Sequence, residues 1–172
     1  QMGGVLSHQN DLNENLSLGF GAMYNQEFFG PYFVPLFLLD WQGSERWYIE
    51  GMIPVTAKVH YRVNEGLDVG FNHFGLITSY FLGDEEYAGD YMERQSIDLS
   101  LFARQRLFGS FFIEAMAGRS FGRGYKQYAG DQTVKFAIPL VAFGDERNVK
   151  NVTFNDGMIF TVKLIFNVQV PD

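Results

Sequence analysis

The sequence predicts an all-β fold: a transmembrane, antiparallel, up-and-down β-barrel of about eight strands, nine or ten being the alternative, apolar outside and polar within. Three observations carry this. Period-two alternation of apolar and polar residues runs through most of the chain, and helical spacing is almost absent. Aromatic residues make up 17% of the sequence (18 Phe, 9 Tyr, 2 Trp) and 19 Gly accompany them. Hydrophobic residues reach 47% while mean hydropathy is only −0.09, so apolar and polar positions must be interleaved rather than blocked.

The elements follow in order. In "NLSLGFGAMYN" (15–25), Leu16, Leu18, Phe20, Ala22 and Tyr24 share one face. A second strand is expected near 32–42. The segment 46–63 stays in phase throughout, with Trp47, Ile49, Ile53, Val55, Val59 and Tyr61 on one side and Arg46, Glu50, Lys58, His60 and Arg62 on the other. It reads as one unusually long strand. The turn "NEG" (64–66) leads to a strand over 67–82 of ambiguous facing. Residues 95–107, 111–121, 132–143 and 157–170 complete the set of eight. The segments 83–90, 122–131 and 144–156 read as loops, and the chain as a single domain over 1–172, with 1–14 an extension or an incomplete strand. Pro35, Pro54 and Pro139 fall inside expected strands, where the missing donor calls for bulges or bends.

Two closed structures fit such a pattern, a soluble ligand-binding barrel and an outer-membrane barrel. The polar faces decide between them. They carry charge in mid-strand together with Phe102, Phe112 and Met116, a mixture suited to a crowded small lumen. The apolar faces are bulky almost throughout and would overfill a small barrel if turned inward. Facing lipid, they have room.

Composition narrows the function classes. Net charge −7 argues against nucleic-acid binding, which needs a clustered basic face. With no Cys and three scattered His, no transition-metal site is expected, and no cofactor. The mid-strand charges Glu50, Lys58, Arg62, Asp98, Arg104, Glu114 and Lys163 are expected in the lumen. There they form either an ion path or, the preferred reading, a salt-bridged plug, since buried charges must be paired. Trp41, Trp47, Tyr48, Tyr61, Tyr80, Phe81, Phe108 and Phe111 lie near strand ends and read as interfacial aromatics. In the last strand Met158, Phe160, Val162, Leu164, Phe166 and Val168 form one apolar, lipid-facing row.

Other motifs carry less. His60, His73, Ser79, Glu85 and Glu86 supply the residue types of a hydrolase, but His73 and Ser79 lie six residues apart, about 20 Å along a strand. "GRSFGRGYK" departs from the phosphate-loop spacing and suggests contact with anionic headgroups. "GDEEYAGD" and "FGDER" lack calcium-loop spacing. "NVT" at 151 matches the glycosylation acceptor formally.

The stretch from "FVPLFLLDWQGSERWYIEGMIPVTAKVHYRV" to "LDVGFNHFG", with "GRSFGRGYKQY" and the closing "NDGMIFTVKLIFNV", resembles a family of Gram-negative outer-membrane β-barrels of unassigned function. The resemblance rests on Pro35, Trp47, Pro54, Tyr61 and Gly70 and spans most of the chain. It implies an integral outer-membrane barrel inserted from the periplasm and supplies no catalytic residues. Members of the family are longer, which implies a portion upstream of Gln1. The final strand resembles the signal read by barrel-insertion machinery, though "VQVPD" stands where a terminal Phe is usual. The expected function is therefore non-enzymatic: a structural or accessory barrel with an occluded lumen, a subunit of a larger envelope complex. Outer-membrane lipid and lipopolysaccharide are its expected partners. A narrow, porin-like passive pore is the second reading, and a lipid-modifying enzyme the third.

Overall fold

The computed structural model describes residues 2–83, 85–87, 89–152 and 156–167. Strands β1 (Met2–Asn13), β2 (Leu16–Glu27), β3 (Gly30–Gln42), β4 (Trp47–Ile53), β5 (Thr56–Asn64), β6 (Leu67–Phe81), β7 (Tyr91–Phe108) and β8 (Phe111–Tyr128) follow one another as an antiparallel, up-and-down sheet. Two short strands, β9 (Phe136–Ile138) and β10 (Val141–Phe143), form a hairpin off this path. β11 (Gly157–Phe166) returns to pair with β8. The helical content of the described residues is one 3-10 turn, Glu85–Tyr87.

Neighbouring residues on a strand point to opposite faces, so the register tests the two-faced reading directly. One cross-strand row runs Leu16, Trp41, Ile49, Val59, Phe71, Leu101, Ala117, Phe160 through eight consecutive strands. Every member is apolar. The adjacent row, one residue along, runs Ser17, Asp40, Glu50, Lys58, Asn72, Ser100, Gly118, Ile159 and is polar over its first six strands. The alternation seen along each strand thus adds up coherently across the sheet.

The sheet is strongly curled. On a flat sheet β5 and β8 would lie about 14 Å apart, three strand spacings. Yet Lys58 Nζ on β5 reaches Glu114 Oε2 on β8 at 2.8 Å. Likewise Ser79 on β6 donates its hydroxyl to Glu27 at the end of β2 at 2.6 Å. The polar row lines the concave side in this half of the sheet. The expected closure is not seen. Among the described residues β1 pairs only with β2 and β11 only with β8, so the sheet is open rather than a closed barrel.

Four further expectations are revised. Residues 46–63 are two strands, β4 and β5, joined by a turn at Ile53–Val55 that contains a cis Ile53–Pro54 bond. The pairs Glu50 with Lys58 and Gly51 with Ala57 join residues of equal parity. The alternation therefore passes through the turn in phase and hides it. Residues 132–143 are not a wall strand but the β9–β10 hairpin, with Pro139 and Leu140 (φ 70°) at its tip. β8 continues to Tyr128 through what read as a loop. It takes an extra residue between Phe121 and Gly124, where Gly122 adopts φ 57°. Residues 2–13 form a full strand rather than an extension. The three prolines lie in turns, or on the part of β3 that β4 does not reach.

The buried core sits at one end of the sheet. It unites Phe29 in the β2–β3 turn, Tyr32, Val34 and Leu36 in the first half of β3, Tyr91 and Tyr128 on β7 and β8, Val134 in the segment leading into β9, and Ala137 on β9. This segment is folded onto the sheet, where Val134 N–H donates to Phe29 O at 2.8 Å.

Candidate functional site

The concave face of the sheet gathers most of the mid-strand charges around one residue. Glu114, 0% exposed, projects from β8. Lys58 from β5 and Arg104 Nη2 from β7 each reach its Oε2 at 2.8 Å, and Lys163 Nζ from β11 approaches its Oε1 at 3.5 Å. Lys58 also sits 4.3 Å from the centroid of the Phe102 ring, a cation–π contact. A second group stands beside it. His60 Nε2 lies 3.1 Å from Glu50 Oε1, its ring is wedged against Tyr48 and Phe102, and the Tyr48 hydroxyl donates to Asp40 at 3.0 Å. Asp98 accepts from Ser120 Oγ at 2.6 Å. Arg62 pairs with Asp68 at 3.5 Å near the rim.

Seven expected lumen charges therefore divide. Glu114, Lys58, Arg104 and Lys163 converge; Glu50 turns to His60; Asp98 turns to a serine; Arg62 is largely exposed. The hub is not a balanced set of acids and bases but one carboxylate holding three cations. Its formal charge is positive.

The aromatics also divide. Trp41, Trp47, Tyr80, Phe81 and Phe108 are exposed, Tyr61 packs against Trp47 in a tilted contact with centroids 4.9 Å apart, and Phe111 makes tilted ring contacts with Phe108 and Phe166. Tyr48 lies on the polar face, in the His60 group. In β11, Met158, Phe160, Val162, Leu164 and Phe166 are all exposed on the apolar face; Val168 lies outside the described residues.

A third polar cluster, unforeseen from the sequence, pins the 129–150 segment. The Arg147 guanidinium donates to Glu93 at 2.7 Å, to Asp145 at 2.8 Å and to the Tyr91 hydroxyl at 3.1 Å, over the ring of Tyr128. Lys150 and Gln127 donate to Asp90 at 2.6 and 2.7 Å. These hydrogen bonds hold the Asp90 and Asp145 carboxyls below the usual carboxylate range. The acidic motifs "GDEEYAGD" and "FGDER" thus each contribute one anchoring carboxylate, Asp90 and Asp145. Asp84 lies outside the described residues, as does the side chain of Glu85, while Glu86 is exposed. Among the described residues no cluster of His, Asp and Glu suits a metal ion.

The remaining motifs fall as follows. His73 Nε2 lies 2.8 Å from Pro54 O, and Ser79 bonds Glu27, so these two do not form a nucleophile–base pair. In "GRSFGRGYK" Arg119 stands over Phe121 and Arg123 over Tyr125, both arginines exposed. Asn151 of "NVT" bridges to β8, donating to Tyr125 O and accepting from Gln127 N–H; Thr153 lies outside the described residues.

Together these features define a class: a curled antiparallel meander with one apolar face, one polar face bearing a buried charge hub, and a long connection folded back as a pinned segment. The chain belongs to the family described as Domain of unknown function (DUF6268), whose model matches residues 2–164. No curated protein and no solved structure matches it.

Proposed function

We propose that this chain forms the wall of an integral outer-membrane β-barrel, apolar face to lipid and polar face to an occluded interior, with a non-enzymatic, structural or accessory role in the envelope. The observation that supports this reading is the apolar row from Leu16 to Phe160, unbroken through eight strands. On β11 alone it continues from Met158 to Phe166, about 27 Å along the strand, the order of the apolar band of a membrane barrel. Water-soluble monomers rarely expose contiguous apolar surface on this scale. The cations Arg119 and Arg123, each beside an exposed or half-buried ring, suit anionic headgroups at the edge of such a band. The charge hub and the pinned segment fill the interior, which favours an accessory barrel over an open channel. One observation favours a pore as the second reading: three cations around one acid give an interior that would prefer anions.

The test is membrane folding with a pair of adjacent variants. Val162 (71% exposed) lies on the apolar face, while Thr161, next to it, pairs with Met116 on the opposite one. Folded into micelles, the chain should migrate differently unboiled and boiled on a gel. Val162→Arg should cost about 2–4 kcal/mol if it sits near the bilayer midplane, and Thr161→Arg clearly less. A chain that stays folded and soluble without detergent, or the reverse order of the two variants, would overturn the proposal. Anion-selective conductance in planar bilayers, lost on Arg104→Gln, would replace the accessory role with the pore.

A further inference from the structure

The wall of the sheet has a notch, and we infer that it is a binding site for a small neutral apolar molecule carrying one oxygen, an alcohol or an acyl carbonyl. The notch follows from the short β4–β5 hairpin. Pairing between β3 and β4 ends at Phe37 with Ile53, and pairing between β5 and β6 ends at Thr56 with Phe74. Beyond those rows β3 and β6 have no strand between them. The opening is framed below by the hairpin turn, where Gly75 N–H donates to Val55 O and His73 Nε2 meets Pro54 O, both at 2.8 Å. It is framed above by Glu27, which accepts from Ser79 Oγ and Ser79 N–H at 2.6 and 2.9 Å. The Pro139–Leu140 tip of the β9–β10 hairpin forms another wall.

Two observations make this a site rather than a packing flaw. The first is its size and lining. It is a half-open pocket of about 160 Å³ between Val34, Val55, Ile77, Ile97 and Leu140, and among the described residues no Asp, Glu, Lys or Arg lines it. That volume resembles an apolar cavity of about 150 Å³ known to hold benzene, room for one ring or a chain of about six carbons. The second is Ser96. It lines the cavity, is 4% exposed, and its Oγ has no hydrogen-bond partner among the described residues. Buried hydroxyls are almost always paired, because an unpaired one forfeits the bonds it made to water. The Oγ itself is sealed in this structure, so a ligand oxygen completes Ser96 once its side chain turns into the cavity, while an apolar body fills the rest. A neutral ligand is favoured over an ionised headgroup, because the one basic side chain of the described lining, His73, is already engaged with Pro54 O. The inference rests on the shape of the wall and not on what surrounds it, so it is independent of the membrane proposal.

The experiment uses the full chain, in lipid nanodiscs or, if it proves water-soluble, in buffer. Two probes of nearly equal shape, 4-fluorobenzyl alcohol and 4-fluorotoluene, are titrated with fluorine NMR detection against empty nanodiscs or buffer. Saturable binding of both is expected, the alcohol the tighter. Ser96→Ala should fold as well as or better than the parent, because it deletes an unpaired group, so the comparison does not hinge on stability. It should weaken the alcohol about three- to ten-fold and leave the toluene unchanged. Ile77→Phe should reduce both. Absence of saturable binding, or equal effects of Ser96→Ala on the two probes, would overturn the inference; the latter would mean that a resident water satisfies the hydroxyl.

Discussion

Glu114→Gln is the most informative perturbation of the charge hub. The substitution keeps shape and volume and removes only the charge. Lys58 and Arg104, with side chains 13% and 24% exposed, lose the carboxylate that each holds at 2.8 Å, and the acids across the strand pair from them, Glu50 and Asp68, are engaged by His60 and Arg62. A unit charge pair at about 4 Å is worth roughly 4 kcal/mol at an effective dielectric of 20. Against this stands the cost of having taken the ions out of water, which the variant retains for the two cations while losing the attraction. Breaking a buried pair from one side costs about 3–5 kcal/mol, and a loss within that range is expected here because two half-buried cations lose their 2.8 Å partner at once. Glu50→Gln is the control. Its carboxylate is about half exposed and has a histidine partner, so a loss within about 1 kcal/mol is expected. Denaturant unfolding read by Trp41 and Trp47 fluorescence measures both. Adding Lys58→Met to Glu114→Gln should recover part of the loss, with a coupling energy of about 1–3 kcal/mol. Equal losses for Glu114→Gln and Glu50→Gln would refute the claim that Glu114 is the electrostatic keystone of the concave face.

Two more predictions concern the pinned segment. Arg147→Ala strands the buried Glu93 carboxylate and should cost about 3–5 kcal/mol, and Arg147→Lys should rescue little, since an ammonium cannot serve Glu93, Asp145 and Tyr91 in one fork. Cleavage by trypsin at Lys135 under native conditions reports the opening. Asp90 titrates below the ordinary carboxylate value, so its contribution is complete above about pH 4 and is lost as pH falls through the lowered folded-state value. Proteolysis of the 129–150 segment by an acid-active protease should therefore rise only well below pH 4. Lys150→Ala should move that rise to higher pH; a rise beginning near neutrality in the parent would contradict the assignment.

What the sequence made legible was local and periodic. The alternation in Leu16–Tyr24, in Ile97–Leu101 and in Met158–Phe166 was readable because each strand has one apolar and one polar face, and the cross-strand rows preserve it. The turns at 64–66 and 109–110 were readable from their glycines and polar residues. The hairpin inside 46–63 was not, because equal-parity pairing carries the pattern through the turn. Residues 132–143 read as a wall strand because "VKFAIPLVAF" is as apolar as one; its burial against Tyr32 and Tyr128 is a tertiary fact. The charge residues were identifiable by type, but their partners were not. Lys58 and Glu114 lie 56 positions apart, and only the curl of the sheet brings them together. Ser96 gave no signal at all, since an unpaired hydroxyl is visible only in three dimensions.

The short β4–β5 hairpin links the features that the sequence left unconnected. By ending early it leaves the first half of β3 with a free edge, where backbone groups lack a strand partner. The 129–150 segment answers part of that need: β9 adds to this edge at Tyr32, and Val134 donates to Phe29 O. To hold the segment there, its own charges must be matched, which is what Arg147 and Lys150 do against Glu93 and Asp90. The match is incomplete near Gly75 and Ile77, and that remaining gap is the cavity carrying Ser96. Filling it with sequence would have been simple, because a β4–β5 hairpin longer by two residues on each strand would place backbone between β3 and β6. Such an insertion at Pro54 should abolish probe binding while leaving the Glu114 hub, which lies on the other side of the turn, intact. Notch and hub are thus separable properties of one curled sheet, the first set by strand length and the second by side-chain charge.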